Sequence, residues 1–291
     1  MYLELNSPFT FYAFYVFIFN KNKVSRTSDL YMSNNVEKSH NMRCSLCKQE
    51  KKLIKKSHII PEFFYRETKL YDEKHKMNKI EAKEYKNSKK VGRVPSGDYE
   101  GGILCADCDN KLIGGLEDYG RKVLFGGLFN EEALGYKNLK NPTDGLEYTI
   151  ITNVDYTKFK LFLLSILWRA SITKREMFKE ASLADADNEI IRKMLITKDA
   201  GKINEYPIIF MSYLNDPRIP TDVIFQPIRS ATKDIITFLI GGFIFIYNIT
   251  NNYMDINEIR EMTIIPENKM TIMHLPRGSG WDFILRFADL K

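Results

Sequence analysis

The chain has 291 residues, 44% of them hydrophobic, 13% aromatic and 27% charged, which supplies at least one sizeable core and excludes disorder throughout. Four cysteines are too few for a disulfide-dense secreted scaffold. The net charge of +6 is unevenly spread: residues 37–93 hold 17 Lys+Arg against 8 Asp+Glu, while residues 1–36 carry +1 and residues 94–291 carry −4. Such a basic segment attracts polyanions, and nucleic acid is the commonest of these, although a Lys-rich stretch such as 69–93 reads equally well as a solvated loop.

In chain order, the apolar run 9–19 (FTFYAFYVFIF) comes first. It falls short of the roughly 20 residues a spanning helix needs, and no positive charge precedes it as a signal peptide would require. It reads as a buried strand, or as residues upstream of a start at Met32 or Met42, and the second reading is favoured because the first motif begins at Cys44. Residues 33–42 are polar and read as irregular. Residues 43–68 predict a cysteine knuckle, a short strand near Ile59-Ile60, a turn at Pro61 and a helix with Phe63, Phe64 and Tyr65. Residues 69–101 read as a long insertion. A second knuckle at 105–108 leads into a helix over about 109–124, and the polar stretch 137–146 marks a boundary.

Beyond it, apolar residues at 159, 162, 163, 166, 167 and 170 have helical spacing, with Asp155 as the N-cap. A second helix is expected over 187–197. Runs at 206–214, 222–228, 234–249, 260–265 and 269–275 read as strands, and Gly241-Gly242 makes 236–249 a hairpin rather than a membrane span. A cytoplasmic protein that does not enter the membrane is expected. Trp168 and Arg169 read as core. His40 and His75 read as surface residues, and His274-Leu-Pro-Arg-Gly-Ser-Gly-Trp281 reads as a glycine-rich turn, because it lacks the strand–loop–helix context of a phosphate loop.

All four cysteines fall in two identical spacings, Cys44-Ser-Leu-Cys47 and Cys105-Ala-Asp-Cys108. A C-x-x-C turn aims two thiolates at one tetrahedral ion, and two such turns complete a closed structural zinc site. No βαβ context surrounds either pair, so a thiol-redox role is the weaker reading. Zinc would also supply folding free energy to a stretch poor in apolar residues.

Between the knuckles lies Lys55-Lys56-Ser57-His58-Ile59-Ile60-Pro61, and after it Gly102-Ile103-Leu104-Cys105, then Cys108-Asp109-Asn110-Lys111 opening a helix. This order resembles the zinc-stabilised HNH endonucleases over about residues 43–125. The resemblance implies a treble-clef, ββα-metal fold in which two strands and a helix hold one divalent cation such as Mg2+ against the scissile phosphate. It implies His58 as general base on water and Asn110 as the matching helix residue. Lys55, Lys56 and Arg66 flank that site and read as nucleic-acid contacts to phosphates or as solvated side chains. Imidazole suits the base role because it titrates near working pH. The chain departs from the family pattern in having Ser57 where a ligand often precedes the histidine. It also has no histidine on the helix, and Gly101-Gly102-Ile103 where a central asparagine would lie. Asp109, Asn110 and Glu117 are the nearest groups able to hold the catalytic metal.

The expected fold class is α+β. An apolar extension (1–36) and a four-cysteine zinc domain (37–140) precede an α+β domain (141–291) with a long helix and an antiparallel sheet. The expected function is hydrolysis of phosphodiester bonds in DNA, in a setting such as restriction, phage defence or mobile elements, with the C-terminal region serving oligomerisation or a partner protein. The rival reading is a non-catalytic zinc module that binds nucleic acid or protein.

Overall fold

The computed structural model describes residues 42–71, 77–79, 92–94, 97–126, 133–218, 221–222, 224–230, 232–250 and 260–279. The expectations for the run 9–19, for a start at Met32, and for His40 and His75 lie outside the described residues.

The described chain begins with two short antiparallel strands, β1 (Met42–Arg43) and β2 (Glu50–Lys51), joined by the turn that carries the first cysteine pair. Lys48 closes this turn with a left-handed backbone at φ 60, and its N–H donates to the Cys44 carbonyl at 2.9 Å. Next come β3 (Ser57–His58) and α1 (Glu62–Glu67), which starts directly after Pro61. Proline is favoured near a helix start because its missing N–H has no intrahelical partner to lose. Residues 69–101, expected as an insertion, contain a small hairpin of β4 (Met77–Lys79) and β5 (Gly92–Val94). They end in β6 (Tyr99–Glu100), which pairs antiparallel with β3 so that Ser57 faces Glu100 and His58 faces Tyr99. The Tyr71 and Tyr65 hydroxyls hold this return in place by accepting the N–H groups of Gly97 and Asp98 at 2.9 and 3.0 Å.

The second cysteine pair opens a helix whose first part, Asp107–Ile113, is wound as a π-helix and continues as α2 (Gly114–Phe125). Then follow β7 (Gly135–Lys140), β8 (Glu147–Thr152), α3 (Tyr156–Ile172), a 3₁₀ turn (Glu176–Ala181) and α4 (Asp185–Thr197). Asp155 caps α3 as expected, its side chain accepting from the Lys158 N–H at 2.9 Å. The remaining strands are β9 (Ile208–Ser212), β10 (Ile228–Arg229), β11 (Ile235–Ile240), β12 (Phe243–Asn248), β13 (Ile264–Ile265) and β14 (Lys269–His274), with a 3₁₀ turn at Arg260–Met262.

One eight-stranded sheet runs in the order β10-β11-β12-β9-β14-β8-β7, with β13 on β14. The sheet expected to be antiparallel is mixed, because β14 lies parallel to β9. Non-consecutive strands meet there, a pairing that local hydrophobic patterning does not encode. The β11–β12 hairpin turns on Gly241 and Gly242 at φ +59 and +88, the double positive φ of a type I′ turn.

Helix α3 is buried on almost every side, between α2, α4 and the sheet. Phe63 and Phe64 of α1 extend the same core: Phe63 packs on Phe162 of α3 at 5.9 Å between ring centroids, and Phe64 on Phe245 of β12 at 6.2 Å. A single apolar cluster therefore runs from Cys44 to Ile272, and the boundary expected after residue 140 falls in the turn between β7 and β8 of one sheet. A smaller apolar layer, including Ile209, Met211 and Ile244, covers the other sheet face. Among the described residues no helix is long and apolar enough to cross a membrane.

Candidate metal centre and the His58 site

The β1–β2 turn and the start of the second helix bring Cys44, Cys47, Cys105 and Cys108 together, with all four sulfurs within 4.8 Å of one another. Tetrahedral zinc with Zn–S bonds of about 2.3 Å requires sulfurs about 3.8 Å apart, and Cys47 Sγ lies 4.0 Å from Cys105 Sγ. The halves are tied by backbone contacts: Ser45 N–H donates to the Ile103 carbonyl at 2.9 Å, and Leu53 bridges to Cys105. Burial pushes the Cys44 thiol up, but the backbone N–H groups of Cys47, Cys105 and Leu46 more than offset this and bring it down to about 7. Burial and the neighbouring sulfurs push Cys108 up instead. Thiolates crowded this closely repel one another, and a cation among them would relieve that repulsion. The donor set is therefore able to hold one metal ion such as zinc.

His58 sits at the end of β3 with its side chain 28% exposed. Its Nε2 is buried, 2.9 Å from Glu62 Oε2 one helical turn onward, though the carboxylate lies out of line for a hydrogen bond from the ring. The same carboxylate oxygen accepts from the Tyr71 hydroxyl at 3.1 Å. Ser57, fully buried, points to the helix and donates to Asp109 Oδ1 at 2.6 Å. Glu117 lies in the first turn of α2, where burial raises its carboxyl above the usual range against the pull of Arg169. Arg169 of α3, 1% exposed, reaches Glu117 Oε1 at 2.6 Å and donates from Nη1 to the His58 carbonyl at 2.5 Å.

The site residues expected from sequence divide accordingly. The four cysteines meet. His58, Asp109 and Glu117 converge on the strand–helix junction, whereas Asn110 is exposed on the helix and Asp109 makes the bond to β3. Lys55, Lys56 and Arg66 are exposed, with Lys56 Nζ 4.8 Å from the Tyr99 ring centroid. Gly101 has a steric reason to be glycine, since a Cβ there would lie 2.6 Å from the Lys55 carbonyl oxygen and an asparagine would not fit. Among the described residues, the four cysteines are the only group of three or more His, Cys, Asp or Glu side chains placed to hold one ion.

Sequence reading missed Glu62, which stands four residues after His58; it placed Arg169 in the core, where it lies, but not against His58 and Glu117. It also missed Arg192 of α4, which donates to the Leu46 carbonyl inside the first knuckle at 2.6 Å. The chain matches no protein-family model, no curated protein and no solved structure.

Proposed function

We propose that this chain is a zinc-stabilised, HNH-like nuclease that hydrolyses phosphodiester bonds in DNA, with His58 as general base. The observation that carries the reading is the arrangement around β3: a cysteine knuckle, an antiparallel strand pair presenting His58, and a helix that starts at the second cysteine pair and turns Asp109 onto the neighbouring strand residue. Such an order of elements supports the treble-clef, ββα-metal reading that the sequence resemblance implies. The Nε2 edge is buried beside Glu62, which leaves the Nδ1 edge to accept a proton. In the reaction, His58 takes a proton from water, the resulting hydroxide attacks phosphorus, and the P–O bond to the leaving sugar oxygen breaks, that oxygen being protonated from solvent. Zinc on the four cysteines would be structural. A catalytic Mg2+ would be held by Asp109 with waters and substrate phosphate, since Mg2+ commonly uses only one or two protein carboxylates, and it would offset charge on the phosphate.

A second reading, a zinc module that binds nucleic acid or protein without cutting, draws on the exposed position of Asn110 and on Gly101, where no orienting side chain fits. Incubating plasmid DNA with the purified chain and Mg2+ or Mn2+ separates the two. Cutting by the wild type, lost in His58→Ala with zinc content unchanged, supports the nuclease. Equal cutting by both removes His58 from the mechanism, and binding without cutting supports the second reading.

A further inference from the structure

We infer that the DNA-binding face beside His58 is built jointly by the zinc module and by the segment after α3, with Tyr99, Lys56, Lys174 and Arg175 forming a cationic clamp for the phosphate backbone. This deepens the nuclease reading and rests on its assignment of DNA as the substrate class.

Tyr99 is the cross-strand partner of His58, and the two rings meet edge-on at 6.4 Å between centroids. Two cations from distant parts of the chain lie over the Tyr99 ring: Lys56 Nζ at 4.8 Å and Arg175 Cζ at 5.5 Å. Cations over an aromatic ring gain attraction from its quadrupole and are held in place rather than left to wander in solvent. The Arg175 segment is itself pinned. Glu100, next to Tyr99 on β6, accepts from the Thr173 hydroxyl and from the Lys174 N–H, the latter at 2.9 Å, and Thr173 Oγ1 accepts from the Arg175 N–H at 3.2 Å. Helix α3 ends at Ile172 and the following 3₁₀ turn begins at Glu176, so these bonds fix the whole connection between them.

The side chains of Lys55, Lys56, Lys174 and Arg175 are all exposed. Glu100 is engaged with the 173–174 backbone and hydroxyl, and Glu176 lies 3.8 Å from Lys179. Exposed cations flanking an aromatic ring, two of them held over it and none with an ion pair among the described residues, match the chemistry of a phosphate backbone, where each neutralised phosphate releases a counterion and an arginine offers a forked donor. The clamp spans 119 sequence positions between Lys56 and Arg175, which places the C-terminal region in the substrate-binding face.

The test is fluorescence anisotropy with a labelled DNA duplex in buffer without added Mg2+ or Mn2+, using the zinc-loaded full chain. Expected results are about a three- to tenfold weaker Kd for Arg175→Glu and for Lys56→Glu, with the slope of log K against log salt reduced by about one for Arg175→Ala. Arg175→Lys should retain most of the affinity. Lys158→Glu, near the other end of α3 and about 20 Å away along the helix axis, is the charge control and should bind nearly as the wild type. Unchanged circular dichroism and zinc content confirm folding of each variant. Arg175→Glu and Lys56→Glu binding as tightly as Lys158→Glu overturns the clamp, even if the wild type cuts plasmid. Binding that depends on Arg175 in a wild type that never cuts upholds the clamp while the catalytic reading fails. A wild type that binds no duplex overturns both.

Discussion

Arg169, buried in the last turn of α3, donates to the backbone carbonyl of His58 at 2.5 Å across 111 positions of sequence. The same guanidinium pairs with Glu117 at 2.6 Å, so a single side chain joins the candidate base, the helix that follows the second cysteine pair and the core of the C-terminal region. A buried cation is stable only when paired, and removing one partner strands the other. Arg169→Met is expected to cost about 3–5 kcal/mol in urea unfolding, because it leaves Glu117 buried without its cation. Arg169→Met/Glu117→Gln should recover part of that loss, and a double-mutant cycle reads the coupling. Additive losses would mean that the two do not act as a pair.

The cysteine cluster is braced in a comparable way by Arg192, which donates to the Leu46 carbonyl at 2.6 Å and is oriented by Glu189 at 2.8 Å. Metal analysis is expected to find one zinc per chain. Cys47→Ser should lose it and lower the melting temperature, since metal binding to such sites supplies on the order of 10 kcal/mol of folding free energy. Arg192→Ala should keep the stoichiometry but transfer zinc to a chelator several-fold faster, as followed by a metallochromic dye.

Gly120 of α2 faces α3 so closely that a Cβ there would lie 2.6 Å from the Phe162 ring. Gly→Ala in a helix interior ordinarily stabilises, because alanine loses less backbone entropy on folding. Here the ring is hemmed in by Phe63 and Phe159 and cannot withdraw. Gly120→Ala is therefore expected to destabilise by about 1–3 kcal/mol in denaturant titration, the range of overpacked cores. A stabilised variant would mean that α2 and α3 are free to separate.

A polar node sits where β14 meets β8 and β9. The Thr149 hydroxyl donates to Asn138 Oδ1 at 2.6 Å, so it accepts from His274 Nε2–H at 2.8 Å, and Nδ1 is left to accept from the Ser212 hydroxyl at 2.6 Å. This arrangement requires a neutral ring. Burial lowers the His274 pKa below its ordinary value, against a weaker opposing pull from Glu147. A histidine depressed in the folded state contributes stability above its unfolded pKa and loses it as pH falls through the folded value. Urea stability is thus expected to hold above about pH 6.5 and to decline on acidification below it. In His274→Asn the His274 contribution to that decline should disappear.

Much of the local architecture was legible from the chain itself. The repeated C-x-x-C spacing marked four sulfurs that meet, the 3.6-residue apolar period marked α3 and its Asp155 cap, and Gly241-Gly242 marked a hairpin. These features are encoded within a few residues, where spacing and backbone freedom suffice. Asn110 and Asp109 show where this stops. They are adjacent and both polar, and only the π-wound opening of the helix and its packing on β3 turn Asp109, rather than Asn110, toward Ser57.

The sequence alone thus determined the thiol cluster, the position of His58 and a basic segment distinct from an acidic remainder. Tertiary structure decided what stands around them: Arg169 under His58, Arg192 on the knuckle, Arg175 beside Tyr99, and the parallel pairing of β9 with β14. The reason is physical. A buried or clamped charge has no signature beyond its own residue type until folding supplies its partner. That partner lies 76, 111 or 146 positions away for Arg175, Arg169 and Arg192, where packing rather than periodicity sets the contact.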